Sequence, residues 1–191
     1  WTVHIGDSFA DVPRSHWAYR FIETIFHDRV TAGCSLEPLS YCPGATLTRA
    51  EMAVFLLMSE HGSGYVPPAA TGQVFSDVPA GRWAGAFIEQ LAAEGITAGC
   101  GGGMYCPESP ITRAEMAVFL LMAEHGAGYV PPAGTGQVFA DVPTGHWAGA
   151  FIEQLAAEGV TSGCGGGLYC PDGIVTRAEM AVFLTATFDL P

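Results

Sequence analysis

A mainly α fold is what this sequence predicts: three helix–loop–helix repeats in a pseudo-threefold bundle, with one disulfide-pinned loop per repeat and extended, proline-rich linkers. Three observations carry that prediction. The nonapeptide TRAEMAVFL occurs at 48–56, 112–120 and 176–184, a period of 64 residues both times. Six cysteines fall into three local pairs, one ahead of each nonapeptide. The run after each TRAE is apolar on nearly all sides, which marks a buried helix. One repeat alone cannot bury such a helix, whereas three together can.

The self-similarity reaches well beyond the nonapeptide. FADVP at 9–13 returns as FSDVP at 75–79 and FADVP at 139–143. WAGAFIEQLAAEG at 83–95 is repeated unchanged at 147–159, and the first copy reads WAYRFIETIFHDR at 17–29. TAGC at 31–34 and 97–100 becomes TSGC at 161–164, and YCP closes each loop at 41–43, 105–107 and 169–171. The chain divides accordingly into an extended arm (1–8), repeat 1 (9–62), a linker (63–74), repeat 2 (75–126), a linker (127–138) and repeat 3 (139–191).

Within each repeat the first helix is short. In the second copy it runs from about Trp83 to Glu94, with Phe87, Ile88 and Leu91 on one face. Gly95 is placed to end it. The first copy has Arg29 there, so that helix must end differently. The second helix opens on a capping box: Thr48 accepts from one free backbone N–H while Glu51 reaches back to another. Thr112 with Glu115, and Thr176 with Glu179, repeat it. GYVPPA between repeats is extended because two prolines fix φ and block a helix. WTVHI at the start alternates like a short strand.

The cysteine pairs are Cys34/Cys42, Cys100/Cys106 and Cys164/Cys170. Even number and local pairing favour disulfides and an oxidising compartment. Zinc is the rival reading, although gaps of seven, five and five residues do not fit its ligand spacing; free thiols are the third. A bridge across so short a loop adds roughly 2 kcal/mol on the loop-entropy model.

With 7 basic and 19 acidic residues the net charge is −12, and there is no lysine. Nucleic acid and anionic membrane surfaces are therefore poor partners. No apolar run is long enough to span a membrane. The chain opens on Trp1 without a signal peptide, so it reads as processed or excised. Three of the seven arginines, Arg49, Arg113 and Arg177, sit inside the repeated nonapeptide.

The constellation F-x-D-V-P…W-A…I-E…G-(I/V)-T…P…T-R-A-E-M-A resembles the S-layer homology repeat, three times over from about Phe9 to Leu184. That family occurs in bacterial surface proteins and folds as a pseudo-threefold helical bundle. The resemblance implies non-covalent attachment to cell-wall polysaccharide, often a pyruvylated polymer, in grooves between repeats. It implies ligand contact by Arg49, Arg113 and Arg177, whose planar forks of donors suit an acidic group. Trp17, Trp83 and Trp147 are placed to stack on sugar faces, unless they are core residues. Asp11, Asp77 and Asp141 are candidates for the same grooves, for pairing with the arginines, or for turn and cap positions. The cysteine loops GCGGGMYCP and GCSLEPLSYCP depart from the family's usual loop, as does the anionic surface.

An enzyme is not expected. His16 and His146 precede Trp17 and Trp147, but Arg82 takes that place in the second copy. His61 and His125 lie near helix ends, where the dipole favours an imidazolium. No nucleophile–base set is visible, and no cofactor or metal site is expected; PDG at 171–173 reads as a turn. The expected partners are cell-wall polysaccharide, copies of the chain itself, or both. If these 191 residues are the mature chain there is no cargo to anchor, which favours a self-assembling subunit whose N-terminal arm contacts a neighbouring copy.

Overall fold

A computed structural model describes residues 7–191. The expected strand-like arm WTVHI falls outside them. Six helices follow in order: α1 (Tyr19–His27), α2 (Arg49–His61), α3 (Gly85–Ala93), α4 (Arg113–His125), α5 (Gly149–Ala157) and α6 (Arg177–Thr187). Only a two-residue hairpin, β1 (Ser35–Leu36) against β2 (Leu39–Ser40), adds regular strand among the described residues.

The long helices α2, α4 and α6 pack on one another at the centre. Met52, Leu56, Met116, Leu120, Met180 and Leu184 are all fully buried there. Each short helix packs on the long helix of the preceding copy: α3 on α2, α5 on α4, and α1 on α6. The last pairing closes the ring.

Backbone hydrogen bonds mark the pseudo-threefold axis. Leu47 N–H donates to the Val175 carbonyl, Val175 N–H to Ile111, and Ile111 N–H to Leu47, at 2.9–3.0 Å. All three residues are fully buried, so polar backbone groups that would be costly unpaired satisfy one another.

The start of each long helix shows how the copies depend on one another. Helix N-termini leave backbone donors without intrahelical partners. At α2 the Arg49 and Ala50 N–H groups donate to Ser109 and Pro107 of the second copy. The Glu51 N–H donates to the Thr48 hydroxyl, and the Thr48 N–H to the Glu51 carboxylate. The capping box is complete at all three long helices.

The short helices differ from expectation at their starts, and in the first copy at the end, while Gly95 ends α3 as expected. α3 begins at Gly85, so Trp83 lies in the turn before it. At the other end Gly95 takes φ +72°, and its N–H and that of Ile96 turn back onto Ala92 and Leu91. The first copy does not end differently. Arg29 adopts φ +58° and makes the same two turn bonds, Arg29 to Phe26 and Val30 to Ile25. A non-glycine residue there costs on the order of 1–2 kcal/mol, which the surrounding packing sustains.

The linkers form no helix or strand over 65–71. They are tied down by carboxylates: Glu89 accepts from the Thr71 and Gly72 N–H groups, and Glu153 from Thr135 and Gly136, each at 2.7 Å.

Candidate functional site

The cysteines are bridged as Cys34–Cys42, Cys100–Cys106 and Cys164–Cys170. No free cysteine remains among the described residues. Each bridge lies beside an aspartate clip. Asp11 accepts from the Tyr41 and Cys42 N–H groups at 2.8 and 2.7 Å, and Asp77 and Asp141 do the same for the other two loops. Burial raises the carboxyls of Asp77 and Asp141, but the backbone donors outweigh it and hold both below the usual aspartate range. The aspartates therefore fix the loop of their own copy, and the arginines pair elsewhere.

The Arg of each TRAE is buried, with 4%, 6% and 4% exposure at Arg49, Arg113 and Arg177. Its side chain is held by the next copy at Nε and Nη1. Arg49 Nε donates to the Tyr105 carbonyl at 2.9 Å, and Nη1 donates to Glu115 at 3.1 Å. Arg113 binds Tyr169 and Glu179 in the same way, and Arg177 binds Tyr41 and Glu51. Each guanidinium also lies about 5 Å from a tyrosine and a phenylalanine ring centre, Tyr105 and Phe119 in the case of Arg49. The capping-box glutamates thus do two jobs: one oxygen closes the helix cap and the other pairs with the preceding copy's Arg.

Among the described residues the Nη2 group of each Arg makes no hydrogen bond, and each of these side chains lines a surface groove. There are three such grooves, of about 240, 280 and 150 Å³, and every copy contributes to each. In the first, Arg49 comes from copy one, Thr97–Gly99, Glu115 and Phe119 from copy two, and Trp147 from copy three. Arg113, Thr161–Gly163, Glu179, Phe183 and Trp17 make the second. Arg177, Thr31–Gly33, Glu51, Phe55 and Trp83 make the third.

The tryptophans are not core residues. Trp17, Trp83 and Trp147 are 62%, 64% and 65% exposed, because the turn before each short helix carries them outward. Thus the arginines and tryptophans meet in the grooves, and the aspartates lie behind them in the loops. Sequence reasoning missed the Thr-Ala/Ser-Gly wall and the buried Tyr41, Tyr105 and Tyr169. The recurrence of TAGC and YCP held the signal for both.

Two other clusters have metal-ligand chemistry: Glu60, His61 and Glu94, and Glu124, His125 and Glu158. In each the imidazole is bonded to a carboxylate of the next copy, His61 to Glu94 at 3.0 Å and His125 to Glu158 at 2.9 Å. No helix of the described residues is long and apolar enough to cross a membrane.

A family model described as the S-layer homology domain matches residues 74–117 and 138–181. The chain is 32% identical over 124 residues to S-layer protein EA1 of Bacillus anthracis, which is 65% of this chain and 14% of that protein. It is 30% identical over 179 residues to exoglucanase XynX of Acetivibrio thermocellus, 93% of this chain and 16% of the relative. With a cellulosome-anchoring protein of the same organism it shares 27% identity over 150 residues, 77% of this chain and 33% of the other. The chain spans one third or less of the length of each of these relatives.

Proposed function

This chain belongs to the S-layer homology family and is a cell-surface protein, and on that premise we propose that it attaches non-covalently to cell-wall polysaccharide through its three inter-repeat grooves. The observation that supports the reading is the threefold recurrence of one groove in which an arginine Nη2 without a hydrogen bond among the described residues lies beside an exposed tryptophan. A guanidinium edge donates to acidic or hydroxyl oxygens. An indole face stacks on the apolar face of a sugar ring.

The net charge of −12 repels a polyanion at long range, and each Arg shares its charge with a glutamate. Attraction therefore rests on short-range bonding and stacking, and three grooves on one body add avidity. The role is non-catalytic; exoglucanase describes a relative of which this chain matches 16%. Sedimentation with cell-wall sacculi tests the proposal. The chain is expected to pellet with intact sacculi and not with sacculi stripped of polysaccharide by hydrofluoric acid. Equal pelleting with both would overturn it.

A second reading is favoured by the similarity to an S-layer protein: copies of the chain associate into a layer, sheath or filament. Electron microscopy of the purified chain tests it. Ordered sheets or filaments support this reading, and dispersed monomers count against it.

A further inference from the structure

Each disulfide joins two parts of a groove. Cys34 directly follows the wall Thr31–Gly33, and Cys42 directly follows Tyr41, whose carbonyl takes Arg177 Nε. Cys42 stands between two carbonyls that hold the third copy: Tyr41 binds the Arg177 side chain, and Pro43 accepts from the Ala178 N–H. Cys106 and Cys170 occupy the same position for Arg49 and Arg113. All three take a left-handed φ, +57°, +58° and +60°. Non-glycine residues avoid that region unless the surroundings impose it. Three holds act here: the aspartate clip on the Cys N–H, the turn bond that its carbonyl accepts from the Ala45, Ser109 or Gly173 N–H, and the disulfide on its side chain.

We propose that each disulfide is a positioning element of its groove, keeping the left-handed turn that aims the Tyr and Pro carbonyls, so that groove binding depends on the redox state of the chain. The proposal rests on the groove reading above. Cys34, Cys100 and Cys164 are exposed and accessible to a reductant. An external dithiol supplies two electrons and two protons; the S–S bond opens to two thiols as the dithiol closes to its own disulfide. The Thr–Glu capping boxes and the packing among the three central helices do not involve the cysteines, so the helices are expected to remain.

The test compares two bridge-free chains. One carries Cys34→Ser with Cys42→Ser, and the matching pair in each other loop. The other carries Ser at the first position and Gly at Cys42, Cys106 and Cys170, because glycine adopts this φ unaided. The Ser chain is expected to bind sacculi about tenfold more weakly than the oxidised wild type, and the Gly chain to recover to within about threefold. Wild type in dithiothreitol should match the Ser chain. Ser and Gly chains of equal affinity would overturn the proposal, as would a Ser chain that loses its helical circular dichroism, since the bridges would then hold the fold. If oxidised wild type does not bind sacculi, the groove reading fails on its own. Amide exchange at Tyr41 and Cys42 (position 42 in each variant) then decides the hold: faster in the Ser chain alone supports it, equal in both chains overturns it.

Discussion

Tyr41 and Arg177 lie 136 residues apart, yet each side chain bonds the other's backbone: the Tyr41 hydroxyl donates to the Arg177 carbonyl at 2.7 Å, and Arg177 Nε donates to the Tyr41 carbonyl at 2.8 Å. Tyr105 with Arg49, and Tyr169 with Arg113, make the same exchange across 56 residues. The third copy therefore grips the first as the first grips the second. Burial pushes all three phenols well above their ordinary range.

Replacing Tyr41 by Phe keeps the ring and removes one buried donor. The expected cost is about 1 kcal/mol in urea unfolding. Tyr105→Phe and Tyr169→Phe should cost the same, because the ring makes the contacts equivalent whatever the separation along the chain. A much smaller effect at Tyr41 alone would mean that the ring is open in solution.

Arg177→Ala removes the Nε bond, the Glu51 pair and the stacking on Tyr41 and Phe55 together. A loss of about 2–3 kcal/mol is expected, since bonds to buried charged groups are among the stronger ones. Arg177→Lys should recover only part of it, because an ammonium lacks the fork that reaches both partners. Urea midpoints of the two variants check the order. Loss of sacculi binding is interpretable only in conditions where the variant is folded.

The helical repeat, the capping boxes and the cysteine pairs were legible because each is a local pattern of a few residues. The arginine's partners were not. Arg49 binds Tyr105 and Glu115 of another copy, and no spacing inside TRAEMAVFL announces a partner 56 or 66 residues away. Glu51 already had a full explanation in its helix cap, which hid its second oxygen. Arg29 misled in the opposite direction: a residue that disfavours φ > 0 predicts a different helix end, but tertiary packing imposed the turn. Trp83 read as the first residue of an amphipathic helix, and a two-residue delay in the helix start turned it outward.

The tryptophans separate binding from folding. Trp17, Trp83 and Trp147 are about two-thirds exposed, so changing all three to Ala should alter stability by no more than about 0.5 kcal/mol per site. Pelleting with sacculi should be lost in the triple variant and weakened stepwise in the single ones. Unchanged pelleting of a folded triple variant would remove the tryptophans from the groove chemistry.

The loop aspartates set an acid limit. Asp77 and Asp141 are held below their ordinary value of 3.8 in the fold, and Glu89 and Glu153 below 4.5, because backbone N–H donors outweigh burial in each case. A carboxylate depressed in the folded state contributes stability that is fully present above its unfolded value and is lost as pH falls through its folded value. Glu60 and Glu124 oppose this, since burial and a neighbouring glutamate raise them, so their protonation on mild acidification favours the fold. The urea midpoint is therefore expected to stay nearly flat from neutral pH to about pH 5 and to drop below about pH 4. The double variant Asp77→Asn with Asp141→Asn should begin less stable at neutral pH and fall less steeply in acid. An equally steep fall in both proteins would move the acid limit from the loop clips to other carboxylates.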